Sequence, residues 1–99
     1  MEIKIQSIHF DATEKLQAFI EKKVAKLEKS FEEILKVEVQ CKVVNPATAQ
    51  NKEVSLTVSV PGNTLFVEKV SDTFEESTDL CVDSMKVQLQ KFKEKLRNR

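Results

Sequence analysis

The sequence predicts an α+β fold: a two-layer sandwich in the order β-α-β-β-β-α, its four-stranded sheet covered on one face by two helices. Three observations carry that prediction. Glu2–Ser7, Lys36–Val43 and Glu53–Val60 alternate apolar and polar residues with the period of a strand. Leu16–Phe31 and Phe74–Leu96 repeat apolar residues at the spacing of an amphipathic helix. Clean alternation leaves one sheet face apolar and the other polar, and the two helices are the obvious cover for the apolar face.

Taken in order, the first strand sets Ile3 and Ile5 against Glu2, Lys4 and Gln6. Asp11 or Thr13 offers an N-cap to a helix whose apolar residues are Leu16, Phe19, Ile20, Val24, Leu27 and Phe31. Glu14 in its first turn suits the positive end of the helix dipole. In the second strand Val37, Val39, Cys41 and Val43 point one way; in the third, Val54, Leu56, Val58 and Val60 do so. The loop Asn45–Asn51 joins these two strands and holds no phosphate-cradling glycines. Pro61-Gly62-Asn63 reads as a tight turn into a fourth strand, Thr64–Val70. The last helix should run from about Thr73 to Arg97, with Phe74, Thr78, Cys81, Val82, Met85, Leu89, Phe92 and Leu96 on its core face. A right-handed first crossover makes the first two strands parallel, and the remaining strands form an antiparallel meander.

The length of 99 residues suits a single domain, 1–99. Sixteen basic and sixteen acidic side chains cancel, but they are not evenly spread. Glu68, Asp72, Glu75, Glu76, Asp79 and Asp83 crowd one segment with only Lys69 among them. Lys86, Lys91, Lys93, Lys95, Arg97 and Arg99 follow, opposed by Glu94 alone. Local field rather than net charge then governs what the chain attracts.

At about 100° per residue, Lys15, Lys22, Lys26 and Lys29 fall on one stripe of the first helix, and Glu14, Glu21 and Glu28 on another. Lys23 lies at the core boundary, where a lysine can snorkel outward. On the last helix Lys86, Lys93 and Arg97 take one flank of the core stripe, Lys91 and Lys95 the other. Two such helices on one sheet can pool their basic flanks against a phosphate-rich partner. The plain alternative is solvated surface.

Other chemistries find little support. His9, the single histidine, has no partners at zinc-ligand spacing, and no serine is paired with a base. Cys41 and Cys81 stand at apolar positions and read as small core residues rather than a disulfide. Glu75, Glu76, Asp79 and Asp83 point in several directions and form no calcium loop. Six phenylalanines without Tyr or Trp give weak support for base stacking, so phosphate and shape recognition fits better. The alternating N-terminus argues against a signal peptide, and no segment approaches the ~18 apolar residues of a membrane span. The expectation is a cytoplasmic non-enzyme with no cofactor and no metal.

Ser7-Ile-His-Phe10, Lys22-Lys23 followed by Lys26-Leu27-Glu28, the turn Val60–Phe66 and the tail from Asp79 through Gln88-Leu89 to Lys91-Phe92-Lys93-Glu94-Lys95-Leu96 carry a further reading. In their order and spacing the whole chain resembles the short ribosome hibernation-promoting factors, also called ribosome-associated inhibitors or sigma-54 modulation proteins. The resemblance implies a β-α-β-β-β-α fold like a double-stranded-RNA-binding domain with an added first strand. It implies a partner, the small ribosomal subunit and its rRNA, bound where mRNA and tRNAs would lie, so that translation stops and idle ribosomes are preserved in stationary phase or starvation. Carried over by position, the RNA-binding residues are Lys22, Lys23, Lys26 and Lys29 on the first helix and Lys86, Lys91, Lys93, Lys95 and Arg97 on the second. The chain departs from the family pattern at Ser84 and Val87, where many members are basic, and near Phe74 or Glu75, where many carry Tyr. Fewer phosphate contacts imply a less salt-sensitive attachment. Ending at Arg99, the chain is expected to lack the dimerising C-terminal domain of long members and to be a monomer off the ribosome.

Two rival functions fit the same residues. One is a free double-stranded-RNA-binding protein outside the ribosome. The other is a protein-interaction adaptor that docks a basic partner on the acidic segment 68–83.

Overall fold

The computed structural model describes residues 1–8, 10–44 and 50–97. The readings of His9, of residues 45–49 in the second connection and of Arg99 lie outside the described residues. The elements are β1 (Glu2–Ile8), α1 (Glu14–Ala25), α2 (Leu27–Ser30), β2 (Lys36–Val43), β3 (Lys52–Val60), β4 (Asn63–Ser71) and α3 (Phe74–Arg97). The sheet has four strands in the order β1-β2-β3-β4. β1 pairs parallel with β2, bringing Ile3 beside Val37 and Ile5 beside Val39. β2–β3 and β3–β4 are antiparallel. The alternating pattern has done what it predicts: Val37, Val39, Cys41, Val54, Leu56, Val58 and Val60 are all buried on one face.

The β3–β4 connection is tight, with Val60 opposite Asn63. Pro61 has its φ fixed by its ring, and Gly62 stands at φ +78°, a left-handed conformation that favours glycine. β4 begins one residue earlier than the sequence suggests and ends at Ser71. As the outer strand it leaves carbonyls unpaired, and Gln88 Nε2 of α3 reaches over to the Phe66 carbonyl at 2.9 Å.

Both long helices start on threonine caps. Thr13 Oγ1 accepts the Leu16 N–H at 3.1 Å, and Thr73 Oγ1 accepts the Glu76 N–H at 3.0 Å. The expected single helix through Phe31 is instead broken at Lys26. There the hydrogen bonds tighten to a three-residue step, from Lys26 N to Lys23 O and from Lys29 N to Lys26 O. Phe31 leaves the helix altogether, extended at φ −155°, and buries its ring. Neither glycine nor proline marks the break, so periodicity alone continues through it.

Helix α3 covers the sheet with Phe74, Ser77, Thr78, Cys81, Val82, Met85 and Leu89 buried. Its core stripe gives out sooner than expected: Phe92 is half-buried and Leu96 is 42% exposed. The reason is length. Twenty-four helical residues span about 36 Å, more than a nine-residue strand at about 30 Å, so the last turns overhang. Ser77 is a polar residue absent from the expected core face. Its hydroxyl lies 2.6 Å from the Lys52 carbonyl and 2.7 Å from Ser71 Oγ, while Ser71 Oγ lies 2.8 Å from the Thr73 carbonyl. Two hydroxyl protons thus serve three short contacts, clamping α3 to the ends of β3 and β4. Both cysteines are free and buried, and burial pushes their thiols up to about 11 for Cys41 and about 12 for Cys81. Thiols so far from ionising are poor nucleophiles.

Candidate nucleic-acid interface

The sequence leaves the relative direction of the helices open, and three contacts settle it. Phe10, before α1, stacks on Phe74 at the start of α3 with ring centroids 4.6 Å apart. Lys23 meets Asp79, and Phe31 meets Phe92 edge-on at 5.5 Å. The chain positions rise together, so α1–α2 and α3 run parallel. Their acidic N-terminal turns share one end of the molecule and their basic C-terminal turns the other, each complementing the helix dipoles.

At the basic end, Lys86, Lys93 and Arg97 from α3 line a cleft of ≈ 350 Å³ with Ser30, Gln90 and Glu94. Beside it Lys29 and Lys93 share a recess of ≈ 330 Å³ with Phe31, Glu32 and Glu33. Four of the predicted cations, Lys29, Lys86, Lys93 and Arg97, are therefore brought together by the α2–α3 contact. None of the four enters an ion pair among the described residues. Ser30 and Gln90 escaped sequence reasoning. Gln90 was within reach of it, because it falls on the same helical flank as Arg97. Ser30 depends on the helix break, which carries no sequence signal.

The remaining predicted residues are placed differently. Lys22 on α1 and Lys26 at its C-terminal cap are exposed, outside both hollows. Lys23 is engaged: its ammonium lies 3.2 Å from Asp79 and 5.4 Å from the centre of the Phe19 ring. Lys91 and Lys95 stand on the opposite flank of α3, lining a groove of ≈ 540 Å³ against the Pro61–Asn63 turn. The interface is thus two cationic flanks separated by the ridge of α3. Its chemistry is electrostatic: exposed ammonium and guanidinium groups suited to phosphate oxygens.

The open sheet face offers a contrasting surface. There Lys36 and Glu38 pair at 3.0 Å, which raises the lysine and lowers the carboxyl from their ordinary values. Glu53 is pushed up by partial burial and then by the neighbouring Glu68 carboxylate. Among the described residues no cluster of His, Cys, Asp or Glu is placed to share a metal ion, and no helix is long and apolar enough to cross a membrane.

The chain is similar to known proteins over nearly its whole length. The chain is 32% identical over 97 residues to a ribosome hibernation promotion factor of Picosynechococcus sp., covering 96% of this chain and 50% of the relative. It is 27% identical over 95 residues to a ribosome hibernation promoting factor of Pseudomonas putida, covering 96% of this chain and 89% of that one. The chain therefore spans half the length of the first relative and most of the second. A ribosomal subunit interface protein from Coxiella burnetii superposes with a TM-score of 0.85 at 26% identity, covering 95% of this chain and 99% of that one. The Protein Y N-terminal domain of Thermus thermophilus shares the fold, with a TM-score of 0.80 at 22% identity over 93% of this chain and 99% of that domain. The profile of the sigma 54 modulation protein / S30EA ribosomal protein family matches residues 3–97, and the chain belongs to that family.

Proposed function

We propose that this chain is a non-catalytic, cytoplasmic translation inhibitor that occupies the mRNA and tRNA channel of the small ribosomal subunit and preserves idle ribosomes. The observation that carries this reading is the convergence of Lys29, Lys86, Lys93 and Arg97 at one end of two parallel helices, in a chain of this family. Inhibition is steric: the helices anchor on rRNA phosphates and the body of the domain fills space that mRNA and tRNA need. Lys22 on α1 and Lys26 at its C-terminal cap extend the contact on one side, and Lys91 and Lys95 extend it across the ridge of α3. Binding is by a monomer and needs no cofactor.

Sedimentation with ribosomes through a sucrose gradient, with excess RNA duplex as competitor, tests this. The protein should travel with the small subunit, and subunits already loaded with mRNA and tRNA should refuse it. Protein left at the top of the gradient refutes the reading. Equal affinity for duplex and subunit would make it a free duplex-binding protein instead.

A further inference from the structure

The groove between the β3–β4 turn and the end of α3 has a floor that phosphate binding does not explain. Pro61, Leu65, Phe92 and Leu96 supply it. Leu65 and Phe92 are only half-buried, and Leu96 is more exposed still, so the overhanging helix holds apolar surface open to water. A phosphate gains nothing from such a surface. The rim, however, is cationic: Lys91 and Lys95, one helical turn apart, line it, and among the described residues no acid does.

The two rim amides complete the pattern. Asn63 Oδ1 already accepts the Thr64 N–H at 2.8 Å, which leaves Nδ2 as a donor. Gln88 Nε2 already donates to the Phe66 carbonyl, which leaves Oε1 as an acceptor. The Phe92 ring is held from behind, edge-on, by Phe31, so the floor is pre-shaped. A ligand using all of these groups has a flat apolar face, hydrogen-bonding groups on its edge and an anion one side chain away. The volume of ≈ 540 Å³ lies within the ~300–1,000 Å³ of small-ligand sites.

We infer that this groove receives one unstacked nucleotide of a single RNA strand, its base on the Phe92–Leu96 floor and its phosphate between Lys91 and Lys95. The inference rests on the reading of the chain as an rRNA binder and divides the labour of α3. The cleft shared with α2 holds backbone phosphate, and the groove beside the turn holds a base.

The test compares a labelled single strand of adenosine nucleotides with an abasic strand of the same length, by fluorescence anisotropy across a salt series. The base-bearing strand should bind about tenfold more tightly, the scale of one stacked base. Leu96→Ala, at an exposed position whose folding a thermal melt checks, should lose that preference and keep the salt slope. Lys91→Gln with Lys95→Gln should keep the preference and lower the slope by about 0.7, the share of the one phosphate they hold. Equal binding of the two strands, binding of neither, or a preference surviving in L96A overturns the inference. So does displacement of the strand by an acidic, phenylalanine-bearing peptide at equal concentration, which would assign the groove to a protein. Failure of the ribosomal reading is separately visible: a chain that stays at the top of the gradient yet prefers the base-bearing strand loses the ribosome and keeps the site.

Discussion

Along α3, the residues from Phe74 to Leu89 and those from Gln90 to Arg97 obey different rules. The first part buries seven side chains against the sheet and exposes acids: Glu75, Glu76 and Asp83. The second part buries none and exposes Lys91, Lys93, Lys95 and Arg97. The first is anchored by packing and the serine clamp, the second by little beyond helix continuity and the Phe31–Phe92 contact. The difference teaches that stability and recognition are separated lengthwise on one element. Charge changes in the overhang are then structurally cheap, and core changes in the anchored part act on folding.

Substitutions can break or sharpen that division. Met85→Ala, at a fully buried position, should cost about 3 kcal/mol and lower Tm by roughly 12–24 °C, while ribosome binding of the folded fraction stays unchanged. Combined Lys93→Gln, Lys95→Gln and Arg97→Gln, all in the overhang, should do the reverse. Small-subunit affinity should fall on the order of a hundredfold at physiological salt and the salt slope by two to three, with ~0.7–0.9 lost per phosphate contact. A melt that moved by many degrees would show that the overhang is structural after all.

Smaller effects refine the boundary. Ser77→Ala leaves the Lys52 carbonyl without its hydroxyl donor and should cost about 1–2 kcal/mol in denaturant unfolding, with no loss of binding. Asp79→Asn releases Lys23 from its ion pair; stability should drop by only ~0.2–1 kcal/mol, and RNA affinity should rise slightly as a cation is freed. Unchanged or weaker RNA binding would mean that Lys23 lies off the interface.

A pH series on Glu53→Gln supplies the control remote from α3. Because the fold raises the Glu53 pKa, the stability it contributes is complete below the ordinary carboxylate value and is lost as pH rises through the folded value. Removing the charge should therefore stabilise the protein at pH 7 and not at pH 3, in urea titrations at each pH. Glu38 has the opposite sign: its lowered pKa contributes above the ordinary value and is lost as pH falls through the folded one.

Much of the fold was legible because its code is periodic. Lys36–Val43 is bounded as the alternation reads, since each step of two places a valine or cysteine on the same buried face. Periodicity knows nothing of where a neighbouring element ends, so Leu96 looked like core although it is 42% exposed. The burial of Ser77 depends on a partner distant in sequence, the Lys52 carbonyl, and the break at Lys26 has no glycine or proline to announce it. For the site, the flanks of α3 could be plotted, but which flank faces α2 required the parallel orientation of the helices. Lys23 shows the limit most plainly, because its partner Asp79 lies on another element.

The parallel pairing of β1 has a consequence for motion. β2, β3, β4 and α3 follow one another in the chain and close over short distances, whereas β1 joins them only across the intervening α1–α2 segment. Its inward residues Ile3 and Ile5 are half-buried, and nothing pairs with its outer edge among the described residues. In native-state hydrogen exchange the β1 amides should be the first of the sheet to lose protection, opening as a unit below the global unfolding energy. By the same closure entropy β1 is the last strand to dock during folding, after the three-stranded meander beneath α3 has formed.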